Sequence, residues 1–85
     1  MTFLEYSRSI LRYLLEKAIY VGDLNVSISI QYEALAKELD LESKNYCQVC
    51  CQYLNKKGYI SCSHLTEDSC RIGITATGVD FLEMT

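Results

Sequence analysis

Proline is absent from this 85-residue chain, and with it any proline-rich interaction segment or stiff linker. Long hydrophobic runs are missing as well. Leu14-Leu15 and Ala18-Ile19-Tyr20-Val21 are among the longest apolar stretches, far short of the ~20 residues that span a bilayer. Histidine occurs once, and no glycine-rich phosphate loop or nucleophile motif beside a base is present. Nor is there a carboxylate pair that so small a fold could enclose in a cleft. The expectation is therefore a protein that is not an enzyme. The N-terminus, Met1-Thr-Phe-Leu-Glu-Tyr6, carries neither a basic leader nor an apolar signal core. That points to a reducing, cytoplasmic setting, in which the five cysteines are free thiols.

What is present suffices for one domain, expected to cover residues 1–85. Nearly half of the residues are apolar, enough to build a core. The net charge is -3, but its distribution is uneven. Between Ser43 and Thr66 lie Lys44, Lys56, Lys57 and His64 with no acid, whereas the rest of the chain holds five basic and eleven acidic residues. The only electropositive stretch is thus the middle of the chain, a modest footprint for phosphate that a dimer would double.

The periodicity predicts a first helix from about Phe3 to Tyr20, ended by Gly22-Asp23. Leu4, Leu11, Leu14, Leu15 and Ala18 lie on its apolar face, with Arg8, Arg12, Glu16 and Lys17 toward solvent. Phe3, Tyr6, Ile10 and Tyr13 widen the apolar surface into a flank that reads either as a subunit interface or as tyrosines that snorkel to solvent. An alternating strand, Asn25 to Gln31, follows. A second helix, Tyr32 to Leu39, buries Tyr32, Leu35, Ala36 and Leu39, and its N-terminus is weakly marked because Gln31 caps poorly. The turn Asp40-Leu41-Glu42 has aspartate where glycine is common, and aspartate tolerates a left-handed backbone.

The third helix opens at Ser43 and stops at Gly58. Cys47, Cys50, Cys51 and Leu54 recur at i, i+3, i+4 and i+7 and form its buried stripe. Lys44, Asn45, Gln48, Val49, Gln52 and Lys56 then face outward, with Tyr46 and Tyr53 at the edges. Tyr59 to His64 and Cys70 to Ile74 form an antiparallel hairpin with a polar, acidic tip, Thr66 to Ser69. Only an odd-numbered loop places Ile60, Cys62, Cys70, Ile72 and Ile74 on one face, which sets His64 opposite Cys70. Cys47-x-x-Cys50 lies mid-helix without a second pair, so buried thiols are expected, with no metal and no cofactor. A metal site drawn from Cys62, His64, Cys70 and one helix cysteine is the competing reading. A redox-sensing thiol is another, and would need an exposed cysteine of low pKa.

The closing segment, Ile74-Thr75-x-x-Gly78-x-x-x-Leu82-Glu83, resembles the "L-T-x-x-G-x-x-x-L" ending found after the wing of bacterial, archaeal and phage winged-helix regulators. Leu54-Asn-Lys-Lys-Gly58-Tyr59-Ile60 is similar to their "L-x-x-x-G-x-I" helix exit. Thr75 or Thr77 caps the last helix, and Thr77-x-x-Asp80 has the form of a capping box. Over nearly its whole length the chain resembles the winged helix-turn-helix superfamily, of no particular subfamily. The resemblance implies an α+β fold ordered helix, strand, helix, helix, β-hairpin wing and short C-terminal helix. It also implies a small DNA-binding transcriptional regulator, acting as a homodimer on double-stranded DNA with the third helix in the major groove. Asn45, Tyr46, Gln48 and Gln52 would read bases, and Lys44, Lys56 and Lys57 would contact phosphates. Departures are the acidic net charge, the acidic wing tip and Glu42 in the turn. They leave open a winged-helix protein-interaction module, a phage or plasmid accessory factor, that meets a protein partner through its tyrosines.

Overall fold

A computed structural model describes residues 2–41 and 43–84; Glu42 lies outside the described residues. The elements are α1 (Phe3–Val21), β1 (Ile28–Gln31), α2 (Tyr32–Glu38), α3 (Lys44–Lys56), β2 (Ile60–His64), β3 (Ser69–Ile74) and α4 (Ala76–Glu83). The fold is α+β, with a three-stranded antiparallel sheet in the order β1-β3-β2. No helix among the described residues is long and apolar enough to cross a membrane.

Local signals account for most boundaries. Thr2 caps α1 through a reciprocal capping box with Glu5, and Gly22 ends it at φ 80°. The Thr2 backbone N–H and hydroxyl, bonded to Glu5, hold its carboxyl below the usual carboxylate value. Asp40 adopts φ 56°, the left-handed backbone expected of it. Gln31 makes no side-chain cap to α2. Instead the Asp68 carbonyl in the hairpin tip accepts from the Tyr32 N–H at 2.8 Å, satisfying one of the free donors of that helix end.

The hairpin register is the one that burial selects. Ile60 faces Ile74, Cys62 faces Ile72 and His64 faces Cys70, with residues 65–69 between. β1 joins the other edge of β3, pairing Ile28 with Ile72 and Ile30 with Cys70. The strand is shorter than the expected Asn25 to Gln31. Ahead of Ile28 the backbone of Val26 and Ser27 crosses against Gly73, where a Cβ would stand 2.6 Å from the Val26 carbonyl oxygen.

The core lies between the sheet and the helices and joins Leu11, Leu14, Tyr32, Leu35, Leu54, Ile60, Ile72 and all the cysteines except the half-buried Cys62. The face of α1 is rotated from the expected one. Ser7, Ile10, Leu11, Leu14 and Ala18 are buried, Leu15 is half-buried and Leu4 is 48% exposed. The reason is α3, whose tyrosines cover the aromatic flank. Phe3 meets Tyr53 edge-on at 5.4 Å, and Tyr6 meets Tyr46 edge-on at 5.1 Å. That flank is therefore packed within the chain, and Ile10 is fully buried.

Thr75 rather than Thr77 caps α4. Its hydroxyl accepts from the Gly78 N–H at 3.0 Å and donates to the Gly58 carbonyl at 2.6 Å. Arg8, expected in solvent, is half-buried. Its guanidinium lies 5.4 Å from the Phe81 ring centroid and donates to the Leu82 carbonyl.

Candidate nucleic-acid interface

Ser43 starts α3 by accepting a hydrogen bond from the Tyr46 N–H at 3.1 Å. With Cys47, Cys50, Cys51 and Leu54 fully buried, the helix turns a polar line outward. Asn45, Gln52 and Lys56 are exposed, Gln48 is half-buried and Val49 is 51% exposed among them. Val49, Gln52 and Lys56 border a shallow depression of about 250 Å³, closed on its other side by Phe3 and Tyr53.

The remaining candidates are engaged within the chain. Lys44 Nζ donates to Asp68 Oδ1 at 2.6 Å. That hydrogen bond, and then the carboxylate charge, raises the Lys44 pKa above the usual lysine value. Lys57 lies beyond the last helical residue, its ammonium 5.9 Å from the Tyr53 ring centroid. Tyr46 is half-buried between Phe3 and Tyr6, an aromatic brace between α1 and α3. Asn45, Gln48, Gln52 and Lys56 thus share one face, Lys44 sits at its N-terminal end under the hairpin tip, and Tyr46 turns inward.

Sequence reasoning passed over Asp68. Its carboxylate holds Lys44 and its carbonyl holds the start of α2, so the acidic tip folds back onto two helix ends. The only local sign was the acidic pair at the tip, since Lys44 is too distant in sequence for periodicity to connect them.

A second cluster lies on the inner face of the hairpin. Cys62 and His64 on β2, Cys70 on β3 and Tyr32 on α2 converge, with the Tyr32 hydroxyl 3.0 Å from His64 Nδ1. Among the described residues, no group of three or more histidine, cysteine, aspartate or glutamate side chains is arranged to hold a metal ion. The competing set of Cys62, His64, Cys70 and a helix cysteine is therefore not arranged as a metal site. The imidazole meets a phenol instead.

No protein-family model, curated protein or solved structure matches this chain significantly.

Proposed function

We propose that this chain is a winged helix-turn-helix regulator that binds double-stranded DNA as a homodimer, with α3 in the major groove. The observation that carries this reading is the acid-free outer face of α3, where Asn45, Gln48, Gln52 and Lys56 are aligned. Asparagine and glutamine can bond adenine through two atoms, lysine can reach guanine or phosphate, and exposed Val49 can contact a thymine methyl. The order of helices and strands and the antiparallel sheet are compatible with that fold. Lys56 and Lys57 supply phosphate contacts, and Lys44 adds another when Asp68 releases it.

A second reading is favoured by a different surface. Ile19, Tyr20 and Val21 at the end of α1 are 70%, 90% and 57% exposed, next to Leu24. An apolar patch with a protruding tyrosine suits a protein interface, and the net charge of -3 disfavours DNA at long range.

Titration of the protein against random-sequence duplex DNA at two salt concentrations, with its mass measured by light scattering, separates the two. Binding at about micromolar affinity, with log K falling by about 0.9 per phosphate neutralised for each tenfold rise in salt, supports the regulator. A Lys44→Ala, Lys56→Ala, Lys57→Ala variant should then lose most of the affinity. Undiminished binding by that variant, or no binding by the parent at low salt, sinks the regulator reading and leaves the interaction module.

A further inference from the structure

The five thiols of this chain have very different surroundings. Cys47, Cys50, Cys51 and Cys70 are fully buried, whereas Cys62 is half-buried at the rim of the hairpin, on the same strand face as exposed His64. Cys70 is the diagonal neighbour of Cys62, because it pairs with His64 while Cys62 pairs with Ile72. Above them Tyr32, the first residue of α2, brings its hydroxyl to His64 Nδ1 at 3.0 Å. The one cysteine with exposed surface thus shares its strand face with an imidazole and its cross-strand diagonal with a thiol, and the imidazole is hydrogen-bonded to a phenol.

We propose that Cys62 is a modification site, a nucleophilic thiol that exchanges with low-molecular-weight disulfides, set among Cys70, His64 and Tyr32 at the one cysteine of the chain that is not buried. This inference does not depend on the DNA-binding reading. The Cys62 thiolate attacks one sulfur of the small disulfide. A new S–S bond forms as the reagent's own breaks, and the departing thiolate takes a proton from water. The reagent's disulfide is the oxidant, and the product is a mixed disulfide on Cys62.

The electrostatics agree with the geometry. The Cys70 thiol, by hydrogen bonding to the Cys62 sulfur, is the largest influence and brings Cys62 down to about 6. His64 and the Tyr32 hydroxyl act in the same direction, and burial opposes them. Cys70 on β3 is pushed up first by its hydrogen bond to Cys62 and then by burial, Tyr32 on α2 first by burial and then by the charges of Cys70 and Cys62, and Cys51 on α3 chiefly by its bond to Cys47. Cys47 is also lowered, by its hydrogen bond with Cys51, but it is fully buried and a reagent has no approach to it. Cys50 is raised by burial.

Cys70 holds the thiolate and does not bridge it. Diagonal positions on neighbouring strands stand about 7–8 Å apart, whereas a disulfide needs a Cα separation of about 4.4–6.8 Å. The mixed disulfide is therefore the end product.

The test exposes the native protein to oxidised glutathione at about pH 6.5 and maps the adduct by peptide mass spectrometry. One glutathionyl group on Cys62 and none on the other four is expected. A thiol of pKa about 6 has about 75 times the thiolate of an ordinary one at that pH. Its lower intrinsic nucleophilicity takes back about 13-fold, so native Cys62 should react roughly six times faster than the same residue in urea-unfolded chain. Adducts spread over several cysteines would overturn the proposal, as would native Cys62 reacting no faster than unfolded, or a Cys62–Cys70 disulfide. A Cys70→Ala variant, its fold checked by circular dichroism, should move the midpoint of the pH–rate profile up toward about 8.5. An unmoved midpoint would deny Cys70 its positioning role. The wild-type midpoint stands by itself if that variant fails to fold.

Discussion

Asp40 and Asp68 are both exposed acids in turns, and only one of them could be understood from its neighbours. Asp40 sits between two helical patterns, and its φ of 56° follows from that position alone. Replacing it with glycine should stabilise the protein by about 0.5 kcal/mol in urea unfolding, because relief of the left-handed backbone outweighs the entropy that glycine adds to the unfolded chain. Asp68 draws its meaning from Lys44, which the fold brings to 2.6 Å. If the regulator reading holds, Asp68→Asn frees one lysine per protomer. The magnitude of the slope of log K against log salt for a dimer should then rise from about 3.6 to about 5.4. An unchanged slope would mean that Lys44 never reaches phosphate.

At the scale of elements, periodicity located the helices better than it oriented them. The α3 stripe of Cys47, Cys50, Cys51 and Leu54 is buried as the spacing predicts. In α1 the spacing allowed two overlapping faces, and the choice fell to the aromatic residues that α3 places beside Phe3 and Tyr6. Leu54→Ala should accordingly cost about 2–5 kcal/mol, while Leu4→Ala, half in solvent, should cost under about 1. Similar losses from the two would contradict the rotated face. For α4, Thr75 and Thr77 were equally plausible caps on local sequence. Thr75 also donates to the Gly58 carbonyl, a bond that exists only because β2 and β3 are paired. Thr75→Ala should lower stability by about 1–2 kcal/mol and Thr77→Ala by a few tenths, measured by denaturant midpoint. Gly78 is a further anchor, since a Cβ there would collide with the Tyr59 carbonyl oxygen.

At the scale of the molecule, the thiols set an unusual pH profile. Cys62 is lowered to about 6 in the folded chain and returns to about 8.5 when unfolded. Between those values the unfolded state binds the extra proton, so stability rises with pH, and the gain is lost as pH falls through about 6. Above about pH 8 the sign reverses. Cys50, Cys51 and Cys70, raised by burial and by neighbouring thiols, stay protonated when folded while their unfolded counterparts ionise. Urea unfolding across this range under reducing conditions should show a maximum near about pH 8, and Cys62→Ser should shrink its rising limb to the part that Cys47, also lowered on folding, supplies. A profile unaltered by that substitution would contradict the thiolate.

The sequence by itself determined the order of the elements, the buried stripe of α3, the helix stops and the hairpin register. Each depends on chain-local geometry: a helix repeats every 3.6 residues, a strand every two, and only one register puts five apolar side chains on one face. Tertiary structure alone decided which surfaces were left over. Tyr46 turned into an aromatic brace, Lys44 was taken by the hairpin tip, Arg8 docked on Phe81, and one thiol of five came to the rim beside an imidazole and a phenol. Those outcomes join residues dozens of positions apart, and a pairing at that separation is written in the packing of elements and not in the spacing along any one of them.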